Sequence, residues 1–426
     1  MSAPVRAALV AVGDELLSGA IGDANSAWIA RALGRVGLAV ESVEIASDDE
    51  PAVAAAVVRA LERAELVTVT GGLGPTLDDV TRHGIARALA LELVEDAGAV
   101  AELTAWFAQR GVVMSDTNRR QALFPRGAAI LRNRAGTAPG FRVERDGRAV
   151  LALPGPPREL TVVWNDEVEP WLRARGWGRE PIPERHFYLF GIPESRFAER
   201  VGPWMAREAE PRMGCTVRDG VLTAALRAGG RDAAAVATLE ARAAEFRARF
   251  AAEIYSESEW ELERALGEAL IASATRVTLA ESCTGGLAAA LLTGVPGISA
   301  VFAQAFVTYA DAAKESALSV PRELLARHGA VSREVVEAMA LGAARATGAR
   351  LSLAVTGIAG PSGGTPEKPV GLVWFASAFD GEVASLERRF PPSDRELVRR
   401  SAARTALFLG WKRLADAGLA RPRRAH

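Results

Sequence analysis

Lysine is scarce in this 426-residue chain. Of the 51 basic residues only three are lysines, Lys314, Lys368 and Lys412, and none lies in the first 300 positions. Arginine keeps its charge at any ordinary pH, whereas a buried lysine can lose its proton. Because the chain uses arginine for almost every positive charge, each lysine is a candidate for a role that needs a deprotonatable amine.

Cysteine and long apolar runs are scarce as well. Cys215 and Cys283 cannot cross-link a chain of this length into a disulfide-stabilised fold, and nothing requires an oxidising compartment. No apolar stretch reaches the ~18 residues typical of a membrane-spanning helix, and residues 5–12 predict a first strand rather than a signal peptide. A net charge of −1 argues against a protein held to nucleic acid by phosphate contacts. We therefore expect a cytoplasmic protein without membrane or direct nucleic-acid partners.

The first half of the chain alternates strand and helix patterns. Runs typical of buried strands occur at 5–12, 39–45 and 66–70, and amphipathic helix patterns lie between them at 26–33 and 51–63. This alternation predicts an α/β fold, with a parallel sheet that carries helices on both faces. In such folds ligands bind outside the carboxyl ends of the strands.

A glycine-rich loop, TGGLGPTLDD, follows the third of these strands at 70–79. The glycines that would let backbone approach a ligand are Gly71, Gly72 and Gly74. Acidic residues lie in this loop and after the other predicted strands, namely Asp14, Glu15, Asp48, Asp78 and Asp79. A phosphate-binding loop beside carboxylates is suited to hold Mg²⁺ against a phosphate. Alternatively, the Gly-Pro pair makes a simple turn and the acids cap the next helix.

A second candidate site lies in the last third, around VTLAESCTGG at 277–286. A strand pattern runs there into a turn rich in hydroxyls and glycine, after which a helix pattern begins. A positive helix end of this kind suits a phosphate or an oxyanion, although Ser282 or Thr284 could equally be a helix cap. Because a desolvated lysine can activate a serine nucleophile, we predict a dyad of Ser282 and Lys314 with Tyr309 as a proton relay.

Motifs in both halves of the chain resemble the CinA family of competence/damage-inducible proteins. In order they are GDELLSG, TGGLGPTLDD, GTAPGF, LPGPP, TLAESCTGG, FVTYADAAK, GAVS, TGIAGPSGGTPEKPVG and DRELVRR. The resemblance implies a Mog-like, molybdopterin-binding fold at 1–170, a small KH-type α+β domain at 171–256 and an α/β amidohydrolase domain at 257–426. The middle part lacks the GxxG loop that a KH domain needs to grip RNA.

For the last third, the resemblance implies hydrolysis of nicotinamide mononucleotide to nicotinate mononucleotide and ammonia, without a cofactor. Ser282 would be the nucleophile, and Lys314 and Tyr309 would handle the proton. The acyl oxyanion would be served by Thr284 and the backbone of Gly285 and Gly286. Further residues expected at the substrate are Thr356, Gly357, Gly360, Lys368 and Arg399.

For the first half, the resemblance implies hydrolysis of ADP-ribose to AMP and ribose 5-phosphate with a divalent metal, namely Mg, Mn or Co. Asp79 would be catalytic, and Asn25 and the loop glycines would bind substrate. The expected metal-binding acids are Asp14, Glu15, Asp48, Asp78 and Asp79.

Two positions depart from the family motifs of the first half. The chain has Ala24 where the family usually has threonine, and Arg120 where it usually has lysine. If that lysine does more than hold charge, the pyrophosphatase site is weakened. The alternatives are a nucleotide- or molybdopterin-binding regulatory module without turnover, or an adaptor for DNA uptake. We also expect a homodimer.

Overall fold

A computed structural model describes residues 5–258, 260–391 and 394–424. The chain divides into two compact units, Met1–Ile182 and Pro183–His426, referred to below as unit 1 and unit 2. In the described part of the chain, every helix is too short or too polar to cross a membrane.

Unit 1 is built from alternating strands and helices. Its strands are β1 (Arg6–Val12), β2 (Ala39–Ala46), β3 (Leu66–Thr70), β4 (Leu93–Glu95), β5 (Leu123–Pro125), β6 (Ala129–Leu131), β7 (Gly140–Arg145) and β8 (Arg148–Leu153). Its helices are α1 (Asp14–Leu17), α2 (Ala24–Arg35), α3 (Glu50–Arg63), α4 (Thr81–Ala88), α5 (Ala97–Ala108), α6 (Pro157–Val163) and α7 (Glu169–Ala174). A 3₁₀ helix spans Asp116–Ala122, and a π-helical turn, Trp164–Val168, joins α6 to α7.

The main sheet of unit 1 has the strand order β2-β1-β3-β8-β7-β6. Its first four strands are parallel, and β7 and β6 are antiparallel additions. Alternate residues of β1 enter different cores, since Val10 packs with α3 and α4 whereas Leu9 packs with α2 and α6. The parallel sheet with helices on both faces is therefore present as predicted, and the predicted strand at 66–70 is β3.

Unit 2 contains two further sheets. Its strands are β9 (Glu184–Phe190), β10 (Arg212–Arg218), β11 (Val221–Arg227), β12 (Ile254–Ser256), β13 (Val277–Glu281), β14 (Phe302–Val307), β15 (Leu351–Gly357), β16 (Leu372–Phe379) and β17 (Glu382–Arg389). Its helices are α8 (Glu194–Val201), α9 (Ala233–Arg249), α10 (Leu262–Ala272), α11 (Leu287–Thr293), α12 (Asp311–Leu318), α13 (Arg322–His328), α14 (Arg333–Thr347) and α15 (Arg395–Asp416). Short 3₁₀ helices span Gly202–Met205 and Ile298–Ala300.

The two sheets of unit 2 differ in direction. The smaller is antiparallel with the order β10-β11-β9-β12, and the larger has the order β14-β13-β15-β16-β17. In the larger sheet β14, β13 and β15 are parallel, so their carboxyl ends meet at one edge. The predicted domain limit at 170 falls inside α7, and unit 1 continues to Ile182. The middle and last predicted domains belong to one compact unit, and the exact limits of the three domains stay a prediction.

Candidate functional site

The turn that carries Ser282 begins where the central parallel strand of unit 2 ends. β13 ends at Glu281, which pairs with Val307 at the end of β14 and with Val355 in β15. The Ser282 N–H donates to the Val355 carbonyl over 3.0 Å, and the residue is only 8% exposed. The serine is thus held at the carboxyl ends of the parallel strands, which is where ligands of α/β folds bind.

Lys314 reaches the same edge from α12. Lys314 and Leu318, one helical turn apart, form the buried face of this helix. The ammonium donates to the carbonyls of Thr308 (3.0 Å) and Tyr309 (3.3 Å). Burial lowers the pKa of Lys314 below its ordinary value of 10.5, against the opposing effect of Asp311, whose carboxylate lies 3.6 Å away. Burial thereby favours the neutral amine that a general base requires.

The structure brings Ser282 and Lys314 to adjoining strand ends without a direct hydrogen bond. The N–H of Thr308, the residue that holds Lys314, donates to the Glu281 carbonyl over 2.8 Å. Within the described chain the Ser282 hydroxyl makes no hydrogen bond to Lys314 or to any other residue. Catalytic hydrogen bonds are often long in a substrate-free enzyme and shorten when substrate binds. The dyad therefore stays a prediction that this placement supports.

The Glu281 carboxylate binds the N-terminal end of α11, where the sequence predicted a site for a phosphate or an oxyanion. This fully buried carboxylate accepts hydrogen bonds from the N–H groups of Gly286 (3.0 Å), Ala288 (3.1 Å) and Ala289 (2.8 Å). The Gly285 N–H donates to the Ser282 carbonyl over 3.0 Å. The two glycine N–H groups predicted to serve the oxyanion are therefore already used inside the protein.

Two other N–H groups of the turn are free. Among the described residues, the N–H groups of Cys283 and Thr284 donate to no other residue. The Thr284 hydroxyl is fully buried and has no hydrogen-bond partner in the described chain. The two N–H groups directly follow Ser282 in the chain, which makes them candidates to bind an oxyanion formed by attack of its hydroxyl.

Helix α15 closes the site with two arginines. Arg399 donates to the Thr284 carbonyl over 2.9 Å, and Arg395 donates to the Gly360 carbonyl (2.5 Å) and the Tyr309 hydroxyl (2.8 Å). These contacts bring together the segments at 282–286, 309–314 and 359–371. The Tyr309 hydroxyl is bound to an arginine, while its backbone carbonyl faces Lys314. A direct relay from this hydroxyl to Lys314 is not formed in the structure.

The other residues predicted to bind substrate in unit 2 have structural contacts. The Thr356 hydroxyl donates to the Ala330 carbonyl over 2.9 Å. A Cβ atom at Gly357 would lie 2.7 Å from the side chain of Val373, which explains the glycine by packing. The Lys368 ammonium donates to the His328 carbonyl over 2.6 Å and so satisfies the last residue of α13. The structure therefore gives Lys368 a helix-capping role and offers no support for a phosphate contact.

Unit 1 contains an acidic cavity at the carboxyl ends of β1, β2 and β3. It has a volume of about 450 Å³, and its lining includes Asn25, Gly71, Gly72, Gly155 and Pro157, but not Gly74. Its charged lining residues are Glu15, Asp23, Asp48, Asp78 and Asp79. No lysine, arginine or histidine of the described chain lines it. The charged side chains around a phosphate in this cavity would all be carboxylates.

The glycine loop at 70–79 is held by Asp79. The carboxylate accepts hydrogen bonds from the N–H groups of Gly74 (2.7 Å) and Thr76 (2.8 Å) and from the Thr76 hydroxyl (2.5 Å). At Gly71, where φ is +101°, a Cβ atom would lie 2.3 Å from the Val12 carbonyl oxygen, so only glycine fits between the strands. A Cβ at Gly72 would lie 2.5 Å from the Thr81 hydroxyl. The loop geometry thus has internal causes in addition to any ligand.

Repulsion among acids is concentrated on Asp48. Burial raises the pKa of Asp48, and the charges of Asp14, Glu15 and Asp78 raise it further, while the N–H of Asp14 donates to it over 2.8 Å and opposes the shift. Within the described residues, no three His, Cys, Asp or Glu side chains are arranged to hold a metal ion. The predicted five-acid cluster is therefore not a preformed protein cage. The acids fit an ion such as Mg²⁺, which usually takes one or two carboxylates together with substrate phosphates and water.

Of the other residues of unit 1 named from the sequence, Asn25 and Ala24 line this cavity and Arg120 does not. The Asn25 amide donates to the Thr70 hydroxyl (3.1 Å) and to the Gly155 carbonyl (2.7 Å), so it links the two loops that line the cavity. Ala24 begins α2 and also lines the cavity. Arg120 lies in the 3₁₀ helix, close enough to Arg82 to lower the pKa of its guanidinium.

Known proteins resemble the chain along almost its whole length. Three family models match it in succession: a probable molybdopterin binding domain at residues 8–174, the damage-inducible protein CinA KH domain at 184–256 and the CinA C-terminal domain at 259–413. A putative competence-damage inducible protein of Symbiobacterium thermophilum is 42% identical over 95% of this chain and 97% of its own. A CinA-like protein of Anaeromyxobacter dehalogenans strain 2CP-C is 41% identical over 94% of this chain and 98% of its own. Among solved structures, a CinA superfamily protein of Klebsiella pneumoniae is 40% identical and covers 37% of this chain and 97% of its own, with a TM-score of 0.36.

Proposed function

The chain belongs to the CinA family, and on that premise we propose that its C-terminal part hydrolyses nicotinamide mononucleotide to nicotinate mononucleotide and ammonia. Family membership confirms the resemblance carried by the motifs, together with the Mog-like, KH-type and C-terminal α/β domains that it implied. The amidohydrolase activity itself is supported by one observation above all. A fully buried lysine with a lowered pKa lies at the strand edge that carries Ser282.

In the proposed reaction Ser282 is the nucleophile and Lys314 is the base. The neutral amine of Lys314 takes the hydroxyl proton as the Ser282 oxygen attacks the carboxamide carbon. The resulting oxyanion accepts hydrogen bonds from the free N–H groups of Cys283 and Thr284. The Lys314 ammonium then donates its proton to the departing nitrogen, which leaves as ammonia and leaves an ester on Ser282. Water, deprotonated by the same amine, cleaves that ester and releases nicotinate mononucleotide.

Purified full-length protein tests this proposal directly. We expect ammonia and nicotinate mononucleotide from nicotinamide mononucleotide in the presence of a metal chelator. Ser282→Ala should lower the rate by at least about 10³-fold, because the attacking oxygen is lost. Circular dichroism and the melting temperature of the variant should match those of the wild type. Release of ammonia by Ser282→Ala at the wild-type rate would exclude this serine as the nucleophile.

For unit 1 we propose that it hydrolyses the pyrophosphate bond of ADP-ribose with the help of a divalent metal ion, giving AMP and ribose 5-phosphate. The supporting observation is the acidic cavity, whose charged lining residues in the described chain are all carboxylates. Because an anionic pyrophosphate would be repelled there, its binding requires a cation. Asp48 and Asp78 would hold that cation, which would neutralise phosphate charge during attack by water. Asn25 and the glycine loop would then orient the substrate.

Product analysis with ADP-ribose and each of Mg²⁺, Mn²⁺ and Co²⁺ tests the second proposal. We expect AMP and ribose 5-phosphate with at least one ion and none with a chelator. Asp48→Asn should lower the rate by more than tenfold, whereas Asp116→Asn, an exposed acid outside the cavity, should not. If wild-type protein cleaves ADP-ribose with none of these ions, unit 1 is better explained as a non-catalytic nucleotide- or molybdopterin-binding module.

A further inference from the structure

Arg82 is a buried cation that the sequence analysis did not single out. It lies in the first turn of α4, directly after the glycine loop, and is 2% exposed. Its Nη1 donates to the Leu73 carbonyl over 2.9 Å, and its Nη2 donates to the Pro139 carbonyl over 3.5 Å. In the described chain its Nε has no hydrogen-bond partner, and no carboxylate forms an ion pair with it.

A buried arginine without a paired carboxylate destabilises the folded state. Removing a guanidinium from water without a paired carboxylate is unfavourable, and buried arginines are normally paired. Burial accordingly lowers the pKa of Arg82, the charge of Asp79 opposes the shift, and Arg120 adds to it, which leaves the pKa at about 10. A methionine or leucine would fill this position at lower cost. The guanidinium therefore has a role other than packing.

The two carbonyls bound by Arg82 belong to different motifs. Leu73 lies in the TGGLGP loop that borders the acidic cavity, and Pro139 lies in the GTAPGF segment. The peptide bond between Leu73 and Gly74 is held at both polar ends, because Arg82 binds its carbonyl and Asp79 accepts from its N–H. Within the described residues the N–H group of Gly72, which lines the acidic cavity, makes no hydrogen bond, so it remains available to a phosphate.

The Pro139 segment in turn borders a second, larger cavity of unit 1. This cavity has a volume of about 720 Å³ and is lined by Gly136, Thr137 and Pro139 together with residues of α5, among them Leu103 and Trp106. Asn133 shapes the same segment, because its side-chain oxygen accepts from the N–H groups of Ala135 and Gly136 at 3.0 Å each. One guanidinium thus connects the walls of two cavities through backbone carbonyls alone.

We propose that Arg82 is a positioning residue of unit 1, whose forked contact with the Leu73 and Pro139 carbonyls fixes the glycine loop for a pyrophosphate and makes the GTAPGF segment move with it. This inference rests on the proposed ADP-ribose hydrolysis for its catalytic consequence, but its structural part does not. Lysine cannot reproduce the fork, because its donors share one nitrogen, whereas Arg82 reaches the two carbonyls from two separate nitrogens held in one plane. The shape of the fork, and not only its charge, is what the loop requires.

Arg82→Lys and Arg82→Met in the full-length protein test the proposal. Displacement of a catalytic loop by about 1 Å can cost about 10²-fold in rate, so we expect both variants to lower kcat for ADP-ribose by about 10- to 100-fold. KM should change by less than about threefold, because Asn25, Asp48 and Asp78, which would hold the substrate and its cation, do not contact Arg82. Arg87→Lys is the matched control, since Arg87 is an exposed arginine of the same helix, and it should leave kcat unchanged. Ammonia release from nicotinamide mononucleotide, which depends on unit 2, should be unchanged in every variant.

Hydrogen exchange followed by mass spectrometry supplies the second readout, which needs no enzymatic activity. We expect segments 71–80 and 133–140 to exchange faster together in Arg82→Lys, and neither to change in Arg87→Lys. Faster exchange in 71–80 alone, or wild-type kcat in Arg82→Lys, would overturn the proposal. If the wild type does not cleave ADP-ribose, the proposed activity fails, and the exchange of the two segments alone decides whether Arg82 couples them.

Discussion

Two glycine-rich turns, 70–79 in unit 1 and 282–286 in unit 2, are built alike but have charged neighbours of different kinds. Each follows a central parallel strand, and each is fixed by one carboxylate that accepts backbone N–H groups, Asp79 in the first and Glu281 in the second. The first turn borders a cavity whose charged lining residues in the described chain are all acids. The second is surrounded by basic groups, with Arg399 on the turn and Lys314 at the adjoining strand end.

The difference shows that a strand, a glycine turn and a helix do not by themselves determine the chemistry of a site. The neighbouring elements do. In unit 1 the residues that face the turn come from the ends of β1 and β2, and they are acids that call for a cation. In unit 2 they come from α12 and α15, and one of them is a lysine whose pKa is lowered by burial. The first arrangement suits phosphate chemistry with a metal, and the second suits a nucleophile with an amine base.

The largest effect is expected from substitution of Lys314, which should lower the activity proposed for the unit 2 turn and leave that of the unit 1 turn unchanged. Lys314→Arg keeps the charge but removes the deprotonatable amine, so ammonia release should fall by about 10²- to 10⁴-fold, while ADP-ribose cleavage stays unchanged. In the wild type, kcat/KM should rise with pH until Lys314 is deprotonated. Because burial lowers its pKa, the midpoint should lie below 10.5.

Lys412→Arg is the matched control for this experiment, because Lys412 is a lysine of α15 for which the structure gives no site contact. It should keep both activities. Full ammonia release by Lys314→Arg would remove the lysine from the mechanism and leave the two turns distinguished by charge alone.

The two carboxylates that fix the turns offer a direct comparison of burial. Glu281→Gln should lower the free energy of local opening of its turn by about 2–3 kcal/mol, because a buried charged acceptor of three N–H groups is replaced by an amide with one acceptor oxygen. Asp79→Asn should cost less, about 1 kcal/mol, because Asp79 is partly exposed to water. Native-state hydrogen exchange of the two turns measures both values. A larger loss at Asp79 would show that burial does not decide the strength of these contacts.

The sequence predicted the frame of the molecule well and the contacts of the site less well. The strand at 66–70 could be placed because a run of apolar and β-branched residues lies between helix patterns, and Lys314 could be chosen because lysine is rare. The hydrogen bond of the Gly286 N–H could not be foreseen, since it depends on the Glu281 carboxylate turning back onto the helix that follows.

Other contacts depend on residues that are far apart in the chain. Lys368 binds the His328 carbonyl 40 positions away, and Arg82 binds Pro139 57 positions away. No local pattern encodes such pairs, because they form only when the sheet has brought the loops together. One signal was nevertheless available for Glu281. It is an acid at the end of an otherwise apolar strand, directly before the hydroxyl-rich turn.

A smaller effect is expected from Asp48, the acid on which repulsion in unit 1 is concentrated. A carboxyl whose pKa is raised in the folded state destabilises that state when it is charged, so Asp48→Asn should raise the melting temperature of metal-free protein at pH 7 by about 1–3 °C. The asparagine oxygen can still accept from the Asp14 N–H. The gain should shrink as the pH falls through the raised pKa, above the ordinary 3.8, because the wild-type carboxyl is then neutral as well.

Divalent ions sharpen this test. Mg²⁺ or Mn²⁺ should raise the melting temperature of the wild type more than that of Asp48→Asn, because the ion removes the same repulsion. Asp116→Asn should respond to ions as the wild type does. Equal shifts in all three proteins would show that the ions bind elsewhere, and the contrast in charge between the two turns would lose its functional meaning.

The smallest effect is expected at Cys283, which follows the proposed nucleophile. Thiols are usually the stronger nucleophiles, but burial, with a smaller contribution from the Glu281 charge, raises the pKa of Cys283 to about 12. At pH 8 only about one molecule in 10⁴ would carry the thiolate. Cys283→Ala should therefore keep ammonia release within about threefold, and iodoacetamide should label the half-exposed Cys215 before Cys283. If Cys283→Ala abolished turnover while Ser282→Ala retained it, the reacting atom in this turn would be sulfur, and the lysine would serve to form a thiolate instead of an alkoxide.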